Sequence, residues 1–184
     1  TYVLWQKIWN LHIQNDRVMR KDNLFLLLLF IFSLILAGCE TEKQQVTVTL
    51  TDHTGCKGLK SATEDDIPNT QSCISWSYDS SSGTLSLTHI NAGFNCCPGE
   101  LSCSIEITGD TLVIKEKEES ALCDCDCLYD LYIDVNDLDE QAYIISIVEP
   151  YCGDQQKLIF EADLAAEPEG SFCASRTQYP WGMP

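Results

Sequence analysis

Cys123, Cys125 and Cys127 alternate with Asp124 and Asp126, and a second group, Cys96, Cys97 and Cys103, lies upstream. Clustered thiols of this kind form disulfides, hold a soft metal, or cycle between oxidation states. Spacing narrows the choice. On an extended strand, residues two apart lie about 7 Å from each other, the upper limit for a disulfide, so the alternating cysteines do not pair among themselves. An adjacent Cys96-Cys97 bridge is strained as well. Cys96, Cys97 and Cys103 are therefore expected to supply partners for Cys123, Cys125 and Cys127. Cys56, Cys73, Cys152 and Cys173 remain for two further bridges. None of the eleven cysteines stands in a Cys-x-x-Cys motif, the usual thioredoxin-like or zinc-knuckle signature. Structural disulfides are the expectation, and a metal-handling or thiol-redox centre is the alternative.

Other chemistries find less material. Beyond residue 38 the chain has two histidines, His53 beside Asp52 in a loop and His89 late in a strand. Neither sits in a nucleophile motif with an orienting acid, and they read as a surface and a half-buried side chain. Residues 134–139 carry the clustered oxygens that calcium requires. Counted from Asp134, however, Leu138, Asp139 and Ile145 occupy positions where an EF-hand needs an oxygen ligand, glycine and glutamate. No carboxylate pair stands out for glycoside hydrolysis. Trp76, Tyr78, Tyr129, Tyr132, Tyr143, Tyr151 and Phe160 are available as a sugar platform, yet their strand spacing favours packing. No catalytic residue and no metal ligand is assigned.

The strongest signal lies near the start. Met19, Arg20 and Lys21 precede an apolar run over residues 24–36, of signal-peptide rather than membrane-spanning length, followed by Ala37, Gly38 and Cys39. The ending Leu36-Ala37-Gly38-Cys39 resembles the lipobox of bacterial lipoprotein signal peptides. The resemblance implies a thioether-linked diacylglycerol on Cys39, cleavage just before it, and a membrane anchor as the one non-protein group. Residues 1–18 read as translated upstream sequence, 19–38 as the signal, 39–45 as a lipidated tether, 46–176 as the folded domain and 177–184 as a tail. In such an exported chain, the ten remaining cysteines read as disulfides. The formal charge of −17 argues against nucleic acid and anionic headgroups as partners and favours cations, a protein or a glycan.

The elements that must position these groups are strands. Residues 46–51, 73–79, 84–90, 101–108, 111–117, 123–135, 141–149, 157–164 and 171–176 alternate apolar and polar side chains. Turn signals separate them: Ser80-Ser81-Ser82-Gly83, the Gly- and Pro-containing stretch 91–100, Gly109-Asp110, and 136–140. The pattern predicts an all-β, antiparallel β-sandwich of eight or nine strands, loosely immunoglobulin-like and stapled by disulfides. The mature part is similar to small cysteine-rich bacterial lipoproteins with a β body, a group without an assigned function. That likeness implies an extracytoplasmic binding or structural module at the outer membrane or cell surface. Metal or redox handling comes second, and a carbohydrate-active or hydrolytic enzyme third.

Overall fold

The computed structural model describes residues 45–57 and 67–181. The upstream segment, the signal, Cys39 and nearly all of the tether lie outside the described residues. Those residues form nine strands: β1 (Thr47–His53), β2 (Gln71–Asp79), β3 (Thr84–Asn95), β4 (Leu101–Thr108), β5 (Thr111–Glu118), β6 (Asp126–Asn136), β7 (Ala142–Val148), β8 (Leu158–Asp163) and β9 (Glu169–Ser175). They build two sheets, β1-β6-β3-β2-β9 and β4-β5-β7-β8. This is the expected sandwich, with one ladder differing in sense. β5 and β7 run parallel, because the intervening β6 crosses to the other sheet and the chain returns in the direction it left.

Strand alternation makes the core. Ile74 of β2, Leu85 and Leu87 of β3, and Leu131, Ile133 and Val135 of β6 are the buried set of one sheet. They pack in one cluster with Leu112 and Ile114 of β5, Ile145 and Ile147 of β7, and Leu158 of β8 from the other. Phe160 stacks between Trp76 and Phe172, at 5.1 and 5.2 Å between ring centroids, joining the layers. The turns use the expected residues. Asp79 caps the first hairpin by accepting hydrogen bonds from the Ser81 N–H and hydroxyl, and Gly83 supplies a positive φ of 66°. Gly109-Asp110 closes the β4–β5 hairpin as a two-residue loop.

Two boundaries depart most from the sequence expectation. The stretch after residue 90, expected as a loop, continues β3 as far as Asn95. Asn91 absorbs an extra residue in a bulge at φ 61°, which returns Ala92 and Phe94 to the inward face opposite Tyr129 and Cys127. The Asn91 side-chain amide also donates to the carbonyls of Pro68 and Gln71, fixing the entry to β2. At the other boundary β6 begins only at Asp126, so Cys123 and Cys125 precede the strand instead of lying in it. Their carbonyls are held by the Asn95 side-chain amide, and the Cys96 N–H donates to the Cys125 carbonyl as well.

The tail is docked. Trp181 is fully buried, and its indole N–H donates to the Asn91 carbonyl at 2.7 Å. Its ring covers Gly93, where a Cβ would stand 2.7 Å from the ring carbons. Gly93→Ala should therefore push Trp181 out. The expected outcome is a red-shifted, quencher-accessible tryptophan emission and a lower urea midpoint; unchanged emission would contradict this packing.

Candidate functional site

Five strand segments, β2, β3, β5, β7 and β9, each carry a polar residue on the inward parity, within the strand or just past its end. Ser72 shares the parity of Ile74, His89 that of Leu85 and Leu87, Glu116 that of Leu112 and Ile114, Glu149 that of Ile145 and Ile147, and Arg176 that of Ala174. All five are buried. His89, expected as half-buried, is fully enclosed, because β3 is central in its sheet and both of its ring nitrogens have partners.

These residues form one chain of contacts between the layers. His89 Nδ1 lies 2.6 Å from Glu116 Oε1, and Nε2 lies 2.7 Å from Ser72 Oγ. Ser72 Oγ donates onward to Glu149 Oε1 at 3.5 Å. Arg176 donates to Glu149 Oε2 at 2.5 Å, donates to the Gln156 carbonyl, and lies with its guanidinium carbon 5.1 Å from the Trp181 ring centroid. Burial, the largest influence on His89, opposes the imidazolium. The adjacent Glu116 and Glu149 together outweigh it and hold the His89 pKa above its ordinary value. Burial lifts the Glu116 carboxyl, and Glu116 Oε2 finds no protein hydrogen-bond partner among the described residues.

Ser72, His89 and Glu116 thus have the connectivity of a nucleophile, base and orienting acid. Their chemistry runs the other way. A base must be a free imidazole to take the serine proton, whereas this imidazole is biased toward the charged, doubly donating form. A nucleophile must also meet its substrate, and Ser72 is fully enclosed. The arrangement works as an inter-sheet ion and hydrogen-bond network.

The second site is the sulfur-rich end of the five-stranded sheet. Four bridges form, Cys56–Cys127, Cys73–Cys173, Cys96–Cys125 and Cys97–Cys123. Cys96 and Cys97 pair with the alternating group as expected. Cys127 instead pairs with Cys56, because β1 is hydrogen-bonded beside β6 and the Lys57 N–H donates to the Leu128 carbonyl just past the strand. That brings the two Cα atoms to 5.8 Å. Cys73 and Cys173 face each other across the β2–β9 ladder.

Cys103 and Cys152, expected to be bridged, are free. Cys103 sits on β4 in the other sheet, opposite Glu116, away from the expected partners. Burial, with the Glu116 charge adding to it, pushes its thiol up to about 12. Cys152 is buried beside Glu149 and Arg176, and burial raises its thiol too. Both are poor nucleophiles at neutral pH.

Asn95 organises this end, and nothing in the cysteine spacing announces it. Its amide donates to the Cys123 and Cys125 carbonyls at 2.7 and 2.9 Å. Its Oδ1 accepts from the Cys97 and Cys123 N–H groups at 2.9 and 3.1 Å. An asparagine at a strand end just before a vicinal cysteine pair is the signal that marks it. Elsewhere, His53 is exposed as expected, but it ends β1 opposite Leu131 instead of lying in a loop, because the β1–β6 ladder runs two residues beyond Thr51; its Nδ1 is 2.8 Å from the Thr54 carbonyl oxygen. Of the aromatics weighed as a platform, Tyr129 and Tyr143 are buried in the core, Trp76 is packed in its stack, and Tyr132 is exposed.

Comparison with protein-family models, with curated proteins and with solved structures finds no match.

Breaking a buried ion pair strands its partner, so Arg176→Met should cost about 3–5 kcal/mol in urea unfolding. The same change combined with Glu149→Leu should recover much of that loss. The pH dependence has a definite sign. A raised folded-state pKa gives His89 a stabilising contribution that is full below about pH 6.5 and lost as pH rises through the folded value. The stability gap between wild type and His89→Gln should therefore narrow on going alkaline; a gap that widens would overturn the assignment.

Proposed function

We propose that this protein is a lipid-anchored, extracytoplasmic binding or structural module of the bacterial cell envelope, without enzymatic activity. The observation that carries the proposal is the set of four disulfides, which form and persist in oxidising compartments and are rare in a reducing cytosol. The lipobox-like Leu36-Ala37-Gly38-Cys39 supports an anchor at Cys39. Two acyl chains hold a protein on a bilayer where a single chain binds only reversibly.

The surface supports binding rather than chemistry. Acidic side chains line the exposed parity of the strands, among them Glu106, Glu161 and Glu169, while the Ser72–His89–Glu116 chain is closed off inside. A protein or glycan partner presenting cationic or neutral polar groups fits this surface, and nucleic acid does not.

Two measurements test the proposal. Expressed in a bacterium with its own signal, the wild type should incorporate labelled fatty acid and sediment with membranes, and Cys39→Ala should lose the label and be released or left unprocessed; membrane partition unchanged in that variant would sink the anchor. Alkylation of the exported protein under denaturing, non-reducing conditions should add two labels, at Cys103 and Cys152. Labels on most of the cysteines would instead place the chain in a reducing compartment.

A further inference from the structure

Two of the disulfides lie side by side. The Cys56, Cys96 and Cys127 sulfurs all stand within 4.8 Å of one another, although they belong to two different bridges. They come from three segments: Cys56 follows β1, Cys96 follows β3, and Cys127 lies in β6. The strand register explains the convergence. Phe94 is opposite Cys127, and the Cys96 N–H donates to the Cys125 carbonyl at 2.9 Å, so alternation puts Cys96, Cys125 and Cys127 on one side.

We infer that reduction of Cys56–Cys127 and Cys96–Cys125 converts this cluster into a binding site for one thiophilic d10 cation, of the zinc(II) or copper(I) class. Cys56, Cys96 and Cys127 supply three thiolates, and Cys125 is the adjacent fourth. Sulfurs sharing a tetrahedral ion at about 2.3 Å are separated by about 3.8 Å, so once their bond is reduced the Cys56 and Cys127 sulfurs part to that spacing, and the Cys96 sulfur, within 4.8 Å of both, needs to approach by no more than about 1 Å. Soft thiolate ligands select such ions.

Contacts other than the two bridges also hold the segments that carry the sulfurs. Asn95 holds the backbone at Cys97, Cys123 and Cys125, and the Lys57 hydrogen bond to Leu128 holds the segment after Cys56 against β6. Access and shielding are both provided. Cys56 and Cys125 are exposed to a reductant, while Cys127 is buried and closes the inner side. Asp124, Asp126 and Glu118 around this end give it the negative charge that attracts a cation.

The chemistry balances with a dithiol as co-reactant. Each bridge accepts two electrons and two protons, giving two cysteine thiols, while the dithiol leaves as its own disulfide. The cation then displaces the thiol protons to solvent. This inference rests on the sulfur geometry and is independent of the lipid anchor.

The test uses the whole mature protein, reduced with a phosphine in the absence of denaturant, freed of reductant without air, and titrated with cadmium(II). One equivalent should bind per chain, with an ultraviolet thiolate-to-cadmium charge-transfer band. Binding should weaken at least ten-fold in Cys96→Ser and in Cys127→Ser and persist in the Cys97→Ser/Cys123→Ser double variant. The oxidised protein should show no band. Equal binding after Cys96→Ser, equal binding by the reduced chain in urea, or binding by the oxidised protein would each overturn the inference. So would loss of the buried-tryptophan emission on reduction, since the site requires the sandwich to persist with its bridges open.

Discussion

The two sheets are tied at one end by a charge that has nowhere else to go. His89, from the middle of one sheet, meets Glu116 from the other, and Glu149 links them through Ser72 to Arg176. Ions taken out of water lose hydration worth several kcal/mol each, and only well-placed partners return it. The apolar core tolerates small shifts of one layer over the other, because Leu, Ile and Val present similar surfaces. The ion network does not. Moving the sheets by one residue pair would set an aliphatic side chain against each charge, so the network fixes how the layers stack.

That constraint propagates outward. Arg176 is held by Glu149, lies over Trp181, and thereby helps fix the tail; Trp181 in turn bonds to Asn91, whose bulge lets β3 run on to Asn95. Asn95 then shapes the segment carrying Cys123 and Cys125. A continuous path of specific contacts joins the buried ions to the sulfur-rich end, and Cys73–Cys173 closes the β2–β9 ladder beside it. The bridges restrict the unfolded chain. Strand adjacency brings Cys127 to Cys56 and Cys73 to Cys173, and the Asn95 hydrogen bonds hold the segments that bring Cys96 and Cys97 to Cys125 and Cys123.

What can be read from the sequence is what is local. Strand alternation in residues 101–108 and 111–117, the Ser-rich turn before Gly83 and the Gly109-Asp110 hairpin all depend on neighbours a few positions apart, and the structure has them where the pattern puts them. The partners of Cys127 and the isolation of Cys103 depend on which strands adjoin, which periodicity does not encode. Residues 123–125 alternate as a strand would, yet Asn95, far away in sequence, claims their carbonyls. The ion network is legible in part. Each of its members sits on the apolar parity of its own segment, and a polar residue on an inward parity must find a partner. Which partner it finds is a matter of three dimensions.

The disulfides also interlock along the chain. Cys73–Cys173 spans 100 residues, and Cys56–Cys127 overlaps it while enclosing the two shorter loops at Cys96 and Cys97. Every peptide bond between Cys56 and Cys173 therefore lies inside at least one closed covalent ring. A protease that cuts any single one of them opens a loop but releases no fragment, so the nicked molecule stays in one piece.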